Sequence, residues 1–211
     1  MSSFSMNINT NQQMPVGSQS GNLFEYLLVG HPDAGVYDKV MEEKQQFSAD
    51  YGEKIAVKTK PHITVANFLA SEAMEPTIIR WMQRICGAQQ SFNVTLNNYS
   101  GFPPHTIYLR IQDPQPFQQL AKQLQTVDDF IRASSCPPAQ LINKPHLSIA
   151  RKLPEQVYNK AMADYAQKTF HESFMLDELL LLRRQHQFDN CKTIQVFRLR
   201  PPDNNQFSGV A

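Results

Sequence analysis

Two seven-residue stretches of this chain nearly repeat each other: KPHITVA at residues 60–66 and KPHLSIA at residues 144–150. In each stretch a histidine is followed by an aliphatic residue, a hydroxyl residue and a second aliphatic residue. Side chains alternate between the two faces of a β-strand, so His62 would share a face with Thr64, and His146 with Ser148. The aliphatic residues between them would point into a core. The repeat therefore predicts two strands that each present an imidazole beside a hydroxyl.

The elements around the two stretches follow a common order. Hydrophobic periodicity predicts strands at residues 23–30, 61–69, 92–96, 106–111, 145–152, 174–182 and 193–199, and helices at 33–51, 71–87 (with Ser71 as N-cap), 117–132 and 154–167. Residues 101–104 would connect two of the strands. In each half of the chain a motif strand is followed by a helix and two strands, and residues 105–110 resemble residues 192–198. These similarities indicate an internal duplication, with the two motif histidines 84 residues apart.

A duplication of this kind predicts a bilobal α/β fold of the α+β type. Two pseudo-symmetric lobes, each an antiparallel sheet flanked by helices, would meet along the motif strands. At 211 residues the chain can bury a sizeable core, and we place a single bilobal domain at residues 23–200. Residues 1–22 and 201–211 are predicted to be flexible tails, because they have too little apolar surface to offset the entropy of ordering.

Composition limits the class of protein. The chain has 20 Lys and Arg against 19 Asp and Glu, so it lacks the basic field of a protein that grips long duplex nucleic acid, although a short charged substrate is compatible. Its three cysteines are far apart and form no CxxC pair, so neither a disulfide framework nor a structural zinc site is expected. It has no run of 18 apolar residues and no signal-peptide pattern. We therefore expect a cytoplasmic monomer without a membrane segment.

The paired histidines point to phosphodiester chemistry. Imidazole has an ordinary pKa of about 6.5, so one histidine can remove a proton from an attacking water while the other protonates the departing oxygen. The hydroxyls of Thr64 and Ser148 can donate hydrogen bonds to the non-bridging phosphate oxygens. This arrangement needs neither a metal nor a cofactor, and the sequence lacks the clustered Asp, Glu and His of phosphoesterase metal sites.

The paired His-aliphatic-Thr/Ser-aliphatic motifs resemble the signature of the 2H phosphoesterase superfamily, in particular its 2′-5′ RNA ligase-like proteins and RNA 2′,3′-cyclic phosphodiesterases. The resemblance covers about residues 24–200 and implies that both histidines lie on the floor of a cleft. The second motif continues Ala150-Arg151-Lys152, similar to the family's His-x-Thr-x-Ala-Arg, which implies that Arg151 contacts the substrate phosphate. Simple alternation puts Arg151 on the face opposite His146, so this role requires a bulge or a strand end. The first motif continues Asn67-Phe68 and has no equivalent arginine.

The resemblance implies a metal-independent phosphodiesterase for a 2′,3′-cyclic phosphate at an RNA end or in a small cyclic nucleotide, which in reverse would form a 2′-5′ link. For hydrolysis we assign His146 as the base and His62 as the acid. Two alternatives remain open. One is a non-catalytic RNA- or nucleotide-binding module that uses the same cleft, and the other is a phosphodiesterase for 2′-5′ oligoadenylates or ADP-ribose cyclic phosphate.

Other conspicuous residues have simpler interpretations. We expect Lys60 and Lys144 to be solvated strand starts, and His105 to mark the start of a strand. Phe102 and Tyr108 could stack a base, but the core is the more common place for such residues. The remaining histidines, His31, His171 and His186, are expected at the surface or in turns.

Overall fold

The computed structural model describes residues 22–185 and 189–202. The strands are β1 (Leu23–Gly30), β2 (Ile63–Ser71), β3 (Phe92–Phe102), β4 (Thr106–Ile111), β5 (Gln140–Leu141), β6 (His146–Ala150), β7 (His171–Leu176), β8 (Glu178–Arg184) and β9 (Lys192–Arg198). The helices are α1 (Ala34–Tyr51), α2 (Ile55–Lys58), α3 (Glu75–Ala88), α4 (Gln115–Gln123), α5 (Gln125–Ala133) and α6 (Glu155–Tyr165), and a 3₁₀ turn (Glu72–Met74) precedes α3. The two predicted tails lie outside the described residues except at positions 22, 201 and 202.

Within the described ranges the nine strands form one sheet, and every pairing between them is antiparallel. Eight strands lie in the order β7-β3-β4-β6-β2-β1-β8-β9, and the short β5 pairs with β2. The motif strands β6 and β2 are neighbours at the centre, paired at Ile63 and Leu147. Each is the inner strand of a four-stranded half. The predicted α+β fold, with two halves that meet along the motif strands, is confirmed.

The two halves exchange strands along the chain. The hairpin β3–β4, which follows the first motif strand, lies beside the second motif strand, and β8–β9, which follow the second motif strand, lie beside β1. The similarity between residues 105–110 and 192–198 therefore does not mark equivalent positions. β4 is next to a motif strand, whereas β9 is at an edge of the sheet.

One predicted strand is two strands in the structure. The prediction of a single strand at residues 174–182 is wrong, because the chain leaves β7 at Asp177 and enters β8 in the other half of the sheet. Phe174 and Leu176 are buried in β7, and Leu179 and Leu181 are buried in β8. The alternation of buried residues therefore shifts by one position at Asp177.

The helix predictions need smaller corrections. The stretch predicted as one helix at residues 117–132 forms α4 and α5, because Leu124 has ψ near −6° and its carbonyl accepts an i→i+3 hydrogen bond from the Val127 N–H at 2.9 Å. Ser71 makes no side-chain capping hydrogen bond. The first helix agrees with the prediction: Asp33 Oδ1 accepts from the Val36 N–H at 2.9 Å, and Gly52 ends the helix with φ +71°.

The helices cover one face of the sheet and leave the motif histidines on the other. α1 and α6 pack on the half that contains β6, and α3 packs on β9 and α4 on β2 in the other half. The aliphatic residues of the motifs are fully buried on the helix-covered face: Ile63, Val65, Leu147 and Ile149. The histidines and hydroxyls between them are only half-buried. We call the face that carries them the histidine face.

Candidate active site

The central strand pairing brings the four predicted motif side chains together. Since Ile63 stands opposite Leu147, the neighbouring positions form two mixed pairs across the strands: His62 with Ser148, and Thr64 with His146. Residues opposite each other in an antiparallel pair have Cβ atoms about 4.5–5.5 Å apart. Each histidine therefore lies across from the hydroxyl of the other motif. Within the described residues neither hydroxyl has a hydrogen-bond partner, so both can donate to a ligand.

Each histidine is held by the backbone of its own motif. Nδ1–H of His62 donates to the carbonyl of Lys60 at 2.8 Å, and Nδ1–H of His146 donates to the carbonyl of Lys144 at 2.9 Å. A carbonyl only accepts, so Nδ1 carries the proton and the neutral ring leaves the lone pair of Nε2 for the substrate. The proline that follows each lysine restricts the lysine to an extended backbone. The Lys-Pro-His repeat thus selects one tautomer in both motifs, while the lysine side chains are exposed, as predicted.

Burial keeps both imidazoles neutral in the ligand-free protein. Desolvation lowers the pKa of His62 to about 4, against the opposing effect of the Lys60 carbonyl, and the charges of His31, Lys44 and Arg151 lower it further. Desolvation also lowers the pKa of His146, again opposed by its backbone carbonyl. A bound phosphodiester anion favours the imidazolium form, so it would raise these pKa values where the acid is needed.

A β-bulge interrupts β2 directly after its hydroxyl residue. Leu28 of β1 stands opposite Ala66, and the next residue, Val29, stands opposite Thr64. Val65 is therefore the extra residue of the bulge. Both Val65 and Ala66 are buried, so the alternation of side chains changes phase here.

The same bulge occurs at the equivalent position of β6. Ile107 of β4 stands opposite Ala150, and Tyr108 stands opposite Ser148, which leaves Ile149 as the extra residue. Ile149 and Ala150 are again consecutive buried residues. The duplication therefore extends to a backbone irregularity after each His-x-Thr/Ser motif.

The bulge in β6 resolves the orientation of Arg151. Because the side chains change phase at residues 149–150, Arg151 follows on the histidine face, on the same side as His146. Arg151 is half-buried, and its Nε is buried without a hydrogen-bond partner within the described residues. Its charge contributes to the lowered pKa of Glu25, whose largest cause is the hydrogen bond from Arg184, and it also acts on His62. The guanidinium, which follows β6, therefore acts electrostatically on groups in the other half of the sheet.

Asn67 occupies the position in β2 that Arg151 occupies after β6. Its amide donates to Glu25 Oε1 at 3.0 Å, and Arg184 Nε donates to Glu25 Oε2 at 2.6 Å. The first motif thus places a neutral amide and an ion pair where the second places a guanidinium. The two halves match in their histidines and differ in their charge.

Two aromatic residues that the sequence assigned to the core lie on the histidine face. The rings of Phe102 and Tyr108 stack with centroids 4.4 Å apart, and the His146 ring is 4.9 Å from Phe102 and 5.0 Å from Tyr108. Both aromatic side chains are only half-buried. They form a flat apolar surface beside His146, and by displacing water they help to lower its pKa.

The other histidines differ in their relation to the site. His31 is half-buried in the connection between β1 and α1, and no sequence pattern indicated that it lies beside the site: its Nδ1–H donates to the Pro61 carbonyl at 2.7 Å and its ring is 6.3 Å from that of His62. His105 precedes β4, as predicted, and bonds the Leu153 carbonyl at 3.0 Å. His171 is exposed on β7, and position 186 lies outside the described residues.

A pocket of about 540 Å³ shares Arg151 with the histidine face. It is lined by His105, Thr106, Arg151, Lys152, Leu153 and Pro154. Another cavity, of about 390 Å³, lies near Ser91 and Asp177 and contains none of the predicted site residues. In the described ranges no three His, Cys, Asp or Glu side chains are grouped closely enough to hold a metal ion. None of the helices described is both long and apolar enough to cross a membrane.

The chain is similar to a protein family, to a named bacterial protein and to solved structures. The model of the 2′-5′ RNA ligase superfamily matches residues 36–187, which include both motifs. A Staphylococcus aureus (strain Newman) protein named "Putative phosphoesterase" is 22% identical over 171 residues, covering 80% of this chain and 95% of that protein. Escherichia coli LigT, crystallised with 3′-AMP, superposes with a TM-score of 0.59 at 17% identity, covering 84% of this chain and 98% of LigT. The protein TT0787 of Thermus thermophilus gives a TM-score of 0.60 at 16% identity, with coverage of 84% and 98%.

Proposed function

The chain belongs to the 2′-5′ RNA ligase superfamily, a family of 2H phosphoesterases, and from that premise we propose that it opens 2′,3′-cyclic phosphates without a metal ion. The substrate is an RNA end or a small cyclic nucleotide. One observation carries the proposal: two histidines in the same fixed tautomer share a face, each across from the hydroxyl of the other motif. LigT, which shares the fold, has been crystallised with 3′-AMP and with ATP, and this supports a nucleotide ligand.

The reaction uses the two Nε2 atoms in opposite protonation states. His146 Nε2 takes a proton from water, the water oxygen forms a bond to phosphorus, and the bond from phosphorus to one ribose oxygen breaks. His62, protonated at Nε2, gives its proton to that leaving oxygen, and the product is a phosphomonoester. In the ligation direction the two roles exchange. The Thr64 and Ser148 hydroxyls and the Arg151 guanidinium stabilise the charge that builds on the non-bridging oxygens.

The basic experiment separates this function from its alternatives. The protein is incubated in EDTA with the four nucleoside 2′,3′-cyclic monophosphates, with a short RNA ending in a cyclic phosphate, with 2′-5′ oligoadenylate and with ADP-ribose cyclic phosphate. Conversion of a 2′,3′-cyclic phosphate to a monoester supports the proposal. Binding of cyclic nucleotides without turnover would favour the non-catalytic module, and turnover restricted to either of the last two substrates would favour the other phosphodiesterases.

The lowered histidine pKa values predict the pH dependence of the reaction. The pH profile of kcat/KM reports the pKa values of the free enzyme, in which both imidazoles titrate below the ordinary value of about 6.5. This bell-shaped profile should therefore have its maximum below that pH. The bound phosphodiester raises the pKa of the acid, so the alkaline limb of kcat should lie at higher pH than that of kcat/KM. Steady-state rates between about pH 4 and pH 9 measure both profiles. A kcat/KM bell centred on the alkaline side of 6.5 would contradict this expectation.

The pocket beside Arg151 predicts a preference for substrates with a second phosphate. His105, Thr106 and Lys152 line it together with Arg151, and these side chains can donate to a phosphate one nucleotide away from the cyclic end. We expect kcat/KM to be about tenfold higher for a dinucleotide ending in a cyclic phosphate than for the matching mononucleotide, the usual effect of a charge-assisted hydrogen bond. The double variant His105→Ala/Lys152→Ala should lose this preference and keep its rate on the mononucleotide. Lys122→Ala, at an exposed position of helix α4, is the control, and an equal preference in all three proteins would refute the prediction.

A further inference from the structure

A lysine is fully buried behind the second motif and has no carboxylate partner in the part of the chain that the structure describes. Lys44, on α1, is 1% exposed. Its Nζ donates to the carbonyls of Ser148 and Ile149 at 3.1 and 3.2 Å, and lies 3.4 Å from Thr59 Oγ1. Within the described residues it forms no ion pair. Burying an ammonium group without a counter-charge costs free energy, so a lysine at this position is expected to have a specific role.

The two carbonyls that Lys44 binds are those of the bulge in β6. A bulge leaves the backbone groups of its extra residue without their usual partners in the sheet, and here the extra residue is Ile149. In β2 the equivalent carbonyl, that of Val65, accepts instead from the backbone N–H of Ile142 at 2.9 Å. The two halves therefore satisfy the same bulge carbonyl with different donors. In the first half the donor is neutral, and in the second it is a charged side chain.

We propose that Lys44 is a positioning residue for the phosphate site, holding the β6 bulge that turns Arg151 onto the histidine face and adding a positive charge behind Ser148. The inference rests on the proposed function for its catalytic consequence, but its effect on anion binding is independent of turnover. A buried charge that no carboxylate neutralises is screened little by water, so it acts on an anion at the adjacent face. Its influence already reaches His62, since the charge of Lys44 contributes to the lowered pKa of that imidazole.

Three variants separate the two roles of Lys44. Lys44→Met keeps the apolar stem and removes both the donors and the charge. Lys44→Gln keeps a neutral donor for the bulge carbonyls and removes only the charge. Lys39→Met, on the same helix with an exposed lysine that pairs with Glu172, is the matched control.

Sulfate binding, followed by NMR, is the main measurement, because sulfate keeps its charge across the pH range and needs no catalysis. We expect Lys44→Met to weaken sulfate binding about tenfold or more and to shift the Arg151 Nε–H resonance, whereas Lys44→Gln weakens binding but leaves that resonance in place. With a cyclic nucleotide as substrate, Lys44→Met should lower kcat/KM about tenfold, and Lys39→Met should behave as the wild type in every measurement. Sulfate binding and an Arg151 resonance unchanged in Lys44→Met would overturn the proposal.

The wild-type protein offers a test that does not depend on whether the variants fold. Burial lowers the pKa of Lys44 to about 8, with a further contribution from the charge of Arg151. Sulfate affinity should therefore fall as pH rises through about 8, when the ammonium loses its proton. The neighbouring side chains do not change charge there, because a guanidinium is protonated throughout this range, the pKa of His62 is about 4, that of His146 is lowered below its ordinary value and Thr59 does not ionise. Sulfate affinity that stays constant through this range would refute the electrostatic role, even if the protein proves to have no phosphodiesterase activity.

Discussion

His62→Ala and His146→Ala are each expected to lower kcat for hydrolysis of a 2′,3′-cyclic phosphate by about 10²-fold or more, the usual contribution of a general acid or base. Each substitution removes an Nε2 whose protonation state the upstream carbonyl prepares. Because the two histidines act in one proton-transfer cycle, the double variant should lose little more than either single variant. Initial rates with a nucleoside 2′,3′-cyclic monophosphate in EDTA provide the measurement.

His171→Ala is the matched control, since this histidine is exposed on β7 and takes no part in the paired motifs. Its kcat should equal that of the wild type. Binding of a nucleoside 2′-monophosphate should survive in both motif variants, which separates loss of proton transfer from loss of folding. Full turnover in either motif variant would disprove the two-histidine mechanism, whatever its effect on binding.

Much of this site follows from the alternation of side chains between the two faces of a β-strand. Alternation along a strand is a local property, so the spacing His-x-Thr/Ser was sufficient to predict that His62 shares a face with Thr64, and His146 with Ser148. The duplication then predicted that the two motif strands meet, because two similar halves associate through equivalent elements. The structure shows them paired at Ile63 and Leu147.

The bulges could not be predicted from the motifs. Val65-Ala66 and Ile149-Ala150 are compatible with a regular strand, and the change of phase becomes visible only against the neighbouring strands. The side chain of a lysine likewise does not reveal that its carbonyl will orient a histidine two residues later. These features depend on the backbone, which sequence patterns report only indirectly.

Other errors arose where two interpretations of one apolar pattern compete. Phe102 and Tyr108 alternate with Ile107 and Leu109, and the pattern does not tell which set faces the helices. The long apolar run Leu179–Leu182 obscured the change of phase at Asp177, although that change was readable in the sequence. The crossing of the chain from one half to the other is set by tertiary packing, which a local pattern does not contain.

Arg151→Met is expected to lower kcat/KM by about 10²-fold, comparable to the loss of one donor from an oxyanion-binding site. The bulge in β6 turns this side chain onto the histidine face, where its Nε has no partner within the described residues and can be offered to the phosphate. Arg151→Lys should recover part of the loss, because it keeps the charge but not the planar fork of donors. Steady-state kinetics with a cyclic mononucleotide measure both variants.

The matched control is Arg110→Met, which removes a guanidinium from the strand beside β6. Arg110 stands opposite His146, but its Nε already donates to the Asn97 carbonyl at 3.1 Å, so its loss should change kcat/KM much less. A second measurement needs no substrate: because the charge of Arg151 contributes to the lowered pKa of His62, Arg151→Met should raise that pKa in an NMR titration of the ligand-free protein. Equal losses in the two arginine variants, with no change in the His62 titration, would show that Arg151 makes no specific contribution to the phosphate site. The asymmetry between Asn67 and Arg151 would then have no part in holding the phosphate.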